Sequence, residues 1–208
     1  MPKSDQKDPT AFPWTGCGTD RDLAGCRFSL YPLDGNYADI ILGSLAKVNR
    51  SKIRAGTDAL STFYRGRLSQ VFDCLSALFA HAYREGLHMC LEAQAMLGCP
   101  GDDDTDVPGV ADDVPLNRPG VAGMGFGVLA KLALYPLGVP DYLPIIAEAF
   151  GLAEGAGLRP RIVHYATRVE GPVLRVFDYL ESVSRMAHGR VGHHALHFTV
   201  SVGSPTQE

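Results

Sequence analysis

Few groups in this chain stand in spacings that do chemistry, and two of the more suggestive are threonines. In "DALSTFYRG", Leu60, Thr62 and Tyr64 alternate with Ala59, Ser61 and Phe63; in "HYATRVEG", Tyr165, Thr167 and Val169 alternate with His164, Ala166 and Arg168. Arg168 resists burial, so the parity of Tyr165, Thr167 and Val169 is the inward one, and Thr62 has the same parity in the first segment. A hydroxyl among apolar residues needs a hydrogen-bond partner. Either a neighbouring backbone carbonyl supplies it, or the two threonines line pockets that orient a small, flat, polar-edged ligand.

Other candidates are weaker. No phosphate loop, dinucleotide fingerprint, nucleophile elbow or H-E-x-x-H motif is present. The histidines of "HGRVGHHALH" invite a metal, but His188 ends a helical pattern while His193 and His197 belong to a strand, so few share a face. Cys99 has no histidine placed beside it by sequence, and Asp73 and Asp178 each follow a buried-type phenylalanine on a helix, which predicts exposed carboxylates. Neither catalytic residues nor a metal site are assigned, and no cofactor is expected.

The elements that position the threonines occur twice. Shifting the chain by 105 places Tyr37 on Tyr142, Ile40 on Ile145, Thr62 on Thr167 and Gly66 on Gly171. It places "VFD" at Val71–Asp73 on "VFD" at Val176–Asp178, Leu91 on Leu196, and Gly98 on Gly203. The opening "FSLYP" and "LALYP" are offset by 104, Pro32 falling on Pro136, so one residue is inserted after the proline. The chain is a tandem duplication.

Each copy reads as βαββαβ. "CRFSLYP" alternates with a period of two, and "GNYADIILGSLAKV" puts Tyr37, Ile40, Ile41, Leu45 and Val48 on one helical stripe. "KIRAGTDALSTFYRG" gives two short strands, and "LSQVFDCLSALFAHAYREG" a helix ending near Gly86. "HMCLEAQAMLG" and "HALHFTVSVG" close the two units as alternating strands. The fold class is therefore α+β: tandem ferredoxin-like units, antiparallel sheets with helices on one face. Expected boundaries are a disordered 1–16, a first repeat 17–100, an acidic proline- and glycine-rich linker 101–127 with six aspartates, and a second repeat 128–205. The outer sheet face, carrying Arg27, Ser29, Tyr31 and Glu92 with Lys131, Tyr135 and His197, is half polar and should pack against the sister repeat or a second subunit. A homodimer follows as an expectation.

Composition narrows the class. Charged residues are 20% and the net charge is −4 without a basic run, which argues against nucleic acid. "MPKSDQKDPT" is no signal peptide, and no uninterrupted apolar window approaches the ~18 residues of a membrane helix. Five cysteines, odd in number and without a C-x-x-C pair, suit reduced thiols in a cytoplasm.

The stretches "CGTDRDLAGCRFSLYPL", "TDALSTFYRG", "GCPGD", "LALYPL" with "PDY", and "VHYAT" together resemble the YkoF family of thiamin/hydroxymethylpyrimidine-binding proteins, in order, over residues 16–205. The resemblance implies a cytoplasmic homodimer of duplicated ferredoxin-like units that binds thiamin or its pyrimidine, is associated with an uptake system, and performs no turnover. It implies one pocket per repeat, near Leu30 with Thr62 and near Leu134 with Thr167. A flat thiazolium cation would lie against Tyr31, Tyr64 or Tyr165. An alternative of another class is a regulatory small-metabolite sensor that signals to a protein partner; an enzyme in the open-sheet cleft ranks third.

Overall fold

The computed structural model describes residues 23–98 and 112–206; the expected disordered N-terminus, Cys17, Cys99 and the aspartates from 102 to 106 lie outside them. The first repeat runs β1 (Leu23–Pro32), α1 (Tyr37–Leu45), β2 (Arg54–Thr57), β3 (Thr62–Arg67), α2 (Leu68–Ala82) and β4 (Met89–Leu97). A short α3 (Arg118–Val121) follows. The second repeat is β5 (Gly127–Leu137), α4 (Leu143–Gly155), β6 (Arg161–Val163), β7 (Ala166–Pro172), α5 (Val173–Arg190) and β8 (His193–Val202). The βαββαβ order is present twice.

Alternation sets each strand's faces. In β1, Cys26, Phe28 and Leu30 are buried while Arg27 and Tyr31 are exposed; in β4, Met89, Leu91, Ala93, Ala95 and Leu97 are all buried. The buried parity meets the helices, and the aromatic pairs Phe72–Phe198 and Phe79–Phe177 knit the two copies into one core. The helix α2 is buried almost along its whole length, covered by α1, α3 and α5, as its apolar sequence requires.

The copies do not stack sheet on sheet. They join edge to edge into one eight-stranded sheet of order β2-β3-β1-β4-β8-β5-β7-β6. The seam is the antiparallel β4–β8 ladder, with Met89 opposite Val202, Ala93 opposite Phe198 and Leu97 opposite His194. Ala93 and Phe198 are equivalent under the shift of 105, so a pseudo-twofold axis passes through this pair. Gly98 (φ +73°) and Gly203 (φ +67°) are a second symmetric pair: a Cβ on either would overlap a backbone carbonyl, of Gly192 and Leu87 respectively. Of the two expected covers for the open face, the sister repeat is thus ruled out; period-two alternation reports which face is buried but not which strand lies at the edge.

Residues 112–121 also differ from a solvated tether. Asp73, expected exposed, is 7% exposed and accepts the backbone N–H groups of Leu116, Asn117 and Arg118 together with Asn117 Nδ2, at 2.8–3.0 Å. Asn117 is buried and exchanges two further hydrogen bonds with the backbone of Asn49. Arg67 and Ser69 donate to Asp113, which holds that carboxyl at about 2. Lys52 pairs with Asp112 at 2.5 Å. Two of the six aspartates are therefore clamps that fasten the connection onto the first repeat, at Lys52, Arg67 and Ser69.

Candidate functional site

Antiparallel pairing places both threonines on the helix side of the sheet. Thr62 stands opposite Phe28, and Thr167 opposite Leu132. Leu30 and Leu134 are buried on that same side at 8% and 7% exposure. Tyr64 and Val169, two residues on from each threonine, are fully buried, which fixes the inward parity. The threonines themselves are half-buried, because each sits where its strand begins and the core thins.

The hydroxyl of Thr62 meets a side chain rather than a carbonyl: Thr57 Oγ1 lies 3.0 Å from Thr62 Oγ1, the two being cross-strand partners. In the second repeat the position of Thr57 is Ile162, opposite Thr167. One site thus carries a pair of hydroxyls and the other a single hydroxyl beside a branched alkyl chain.

Neither of the two tyrosines named with them is buried beside its threonine. Tyr31 is on the opposite, open face of the sheet, 48% exposed. Tyr165, expected inward by parity, is 99% exposed because it belongs to the turn before β7, with φ +63°, where the alternation has not yet begun. Leu60, its equivalent, is likewise exposed in the Asp58–Ser61 turn. Arg27 and the Leu60 and Ser61 backbone hold the Asp58 carboxyl at about 2, and Ser29 Oγ donates to the Leu60 carbonyl, tying the turn to β1.

Three exposed apolar residues recur at the end of each unit where its threonine lies. Leu33, Tyr37 and Leu60 are exposed apolar residues in the first repeat, and Leu137, Tyr142 and Tyr165 are their equivalents in the second. In each copy the three stand where the first strand ends, where the first helix begins, and at the turn of the β-hairpin, all at one end of the unit. The helix α1 contributes to this: only Ser44 is buried within it, and Ile40 and Ile41 are half-buried. Apolar side chains left in solvent at repeated positions mark a contact surface.

Sequence reasoning missed several buried polar atoms. Tyr64 Oη and Ser184 Oγ are buried without a partner, as are both ring nitrogens of His194. His194 is fully buried under α5, its centroid 6.4 Å from that of His188, and burial, then the charges of His188 and His193, push its imidazole down to about 4. Its equivalent in the first repeat is the buried Met89, so the sequence signal was a histidine at an apolar position of the alternation. Among the described residues no group of three or more His, Cys, Asp or Glu could hold a metal ion. On the open face Cys90 Sγ lies 3.4 Å from Ser201 Oγ and 3.6 Å from His88 Nε2.

The model of the YkoF-related family matches residues 23–102 and again 127–207, the two copies seen in the fold. The chain belongs to the YkoF-related family. It is 36% identical over 192 residues to a Bacillus subtilis relative named "Putative HMP/thiamine-binding protein YkoF", a match covering 92% of this chain and 96% of that one. Among solved structures, a hypothetical protein of Methanocaldococcus jannascii is 13% identical, covering 39% of this chain and 84% of that chain at a TM-score of 0.36. A Thermotoga maritima protein titled "putative thiamine biosynthesis/salvage protein" is 18% identical, covering 37% and 84% at a TM-score of 0.34. Both likenesses extend over about one repeat. The double match of the YkoF-related model accords with the duplicated βαββαβ fold, and no helix among the described residues is long and apolar enough to cross a membrane.

Proposed function

We propose that this chain binds thiamin or its hydroxymethylpyrimidine moiety without turning it over, one ligand per repeat, as a cytoplasmic homodimer serving uptake or salvage. The observation that carries this reading is the recurrence, in both copies, of a threonine on the helix side of the sheet at the end of the unit that carries three exposed apolar residues. The name of the Bacillus subtilis relative supports the ligand class. An aminopyrimidine presents one amino donor and two ring-nitrogen acceptors, which a threonine hydroxyl and strand-end backbone groups can meet. Leu30 and Leu134 supply the apolar floor. The thiazolium cation lies toward the rim, where Tyr37 or Tyr142 and Tyr165 offer ring faces worth about 0.5–2 kcal/mol. Tyr31 and its equivalent Tyr135, both about half exposed on the open face, suit the partner copy of the homodimer rather than the ligand.

Isothermal titration calorimetry of the purified chain with thiamin, then with hydroxymethylpyrimidine alone, tests the proposal. Saturable heat with up to two sites per chain is expected. Thr62→Val should weaken the first site by about 1–3 kcal/mol and leave the second unchanged, and Thr167→Val the reverse. Absence of heat and of thermal stabilisation with either compound would sink the ligand assignment and bring forward the metabolite-sensor reading. Unchanged affinity in a folded Thr62→Val would remove that residue from the site. Sedimentation analysis tests the homodimer.

A further inference from the structure

Buried polar atoms without partners gather at one place among the described residues, where the C-terminal half of α5 meets the start of β8. Five of the seven are there: Ser184 Oγ, His188 Nδ1, His193 Nε2 and both ring nitrogens of His194. Ser184 and His188 are one turn apart on α5, and the His188 and His194 rings lie 6.4 Å apart between centroids. Ser184 and His194 are fully buried. The first repeat has apolar residues at three of these positions. Under the shift of 105, Ser184 falls on Phe79, His188 on Tyr83 and His194 on Met89. There Phe126 stacks on Tyr83 at 3.8 Å and lies 6.3 Å from Phe79, so rings fill the space. Buried polar groups without partners weaken packing, and here they do so in one repeat only.

The charges around the cluster favour opening when it is protonated. From α5 comes Arg185, paired with Glu181; from the start of α2 comes Arg67; from residues 112–121 comes Asp113. These three line a cavity of about 80 Å³ together with His188. Asp113, the one carboxylate among the described residues of that lining, is already engaged by Arg67 and Ser69. The strands on either side of β8 place only Leu97 and Pro136 opposite His194. Burial, then the charges of His188 and His193, hold the His194 imidazole at about 4. The position also touches the second site. On the helix side of the sheet, the row Pro136–His194–Leu97 borders the row Leu134–Leu196–Ala95. His193 stands opposite Leu137, an exposed apolar residue at the threonine end of this repeat.

We propose that Ser184, His188, His193 and His194 form an acid-operated latch of the second repeat. Protonation of the imidazoles parts the last turn of α5 from the start of β8, and Leu134 loses its support while Leu30 keeps its own. The consequence for ligand rests on the two-site reading proposed above: on acidification the second site empties before the first.

Amide hydrogen exchange at pH 7.5 and pH 5 tests the latch without any ligand. A histidine at about 4 when closed and about 6.5 when open raises the open population roughly 30-fold between those pH values. Protection of Val191, whose N–H is bonded to the Ala187 carbonyl, and of residues 193–196 should fall by about that factor. Protection in β1 should not change. His194→Met, which copies Met89, should keep its protection at both pH values, and His188→Tyr, which copies Tyr83, should lessen the loss. Equal protection at both pH values in the unaltered chain would overturn the latch. So would a loss shared by β1, or one that persists in a folded His194→Met. Calorimetry with thiamin then reads the site: at pH 5 the unaltered chain should lose one of two binding events that His194→Met retains. Both events retained at pH 5, beside lost protection, would overturn the link to the ligand. No heat at pH 7.5 would count against the ligand assignment, and the exchange data would still decide the latch.

Discussion

The helix α2 and the helix α5 descend from one ancestral sequence and live in different surroundings. Val71–Asp73 and Val176–Asp178 read the same three letters, yet Asp73 is buried among four donors and Asp178 is exposed with one arginine. What separates them is the cover, since residues 112–121 lie over α2 while the described chain leaves the cleft beside α5 open. A residue's role here follows from what the connection does, not from the repeat it belongs to.

Substitution of the two aspartates breaks the comparison most sharply. Asp73→Ala strands buried donors and should cost about 3–5 kcal/mol in urea unfolding, whereas Asp178→Ala, which loses a half-exposed ion pair, should cost about 1 kcal/mol or less. Equal losses would refute the assignment of the clamp to the first repeat alone.

The next contrast is His194 against Met89. Burial holds the His194 imidazole at about 4 in the fold against about 6.5 in the unfolded chain, so the unfolded state takes up the proton first. Its neutral form is fully accommodated above pH 6.5, and stability drains away as the pH falls from there toward 4, by about 3 kcal/mol. Chemical denaturation across that range should show the decline in the unaltered protein and a flatter profile in His194→Met, which copies the sister repeat. Gly98→Ala and Gly203→Ala sharpen the symmetry instead. Each meets a backbone carbonyl at positive φ, so each should cost about 2–3 kcal/mol or more, and by a similar amount. The smallest effect belongs to Tyr64→Phe, which removes an unpartnered hydroxyl where the second repeat has Val169; thermal melting should shift by no more than about 1 kcal/mol, either way.

Much of the fold was written in local pattern. Two-residue alternation gave the faces of β1, β4 and β8, and the shift of 105 gave the duplication, because both depend on neighbours a few residues apart or on simple identity. The continuous sheet was not readable, since nothing in "HMCLEAQAML" says that its free edge meets "HALHFTVSV" rather than solvent. Asp73 was misread for a related reason: its donors come from 43 to 45 positions further along the chain. For the candidate site, the shared side of Leu30 with Thr62 and of Leu134 with Thr167 followed from parity. Tyr165 did not, because a strand's parity stops at its first residue and the turn before it obeys its own φ.

The β4–β8 ladder has a further consequence. A ladder centred on Ala93 and Phe198, pairing each strand with its own duplicate, is the kind of contact by which two identical subunits associate through a self-complementary edge. Joining the copies in one chain makes that association first order. The molecule's integrity then does not depend on how many copies the cell holds, and the connecting segment, relieved of any duty beyond tethering, was free to become a clamp.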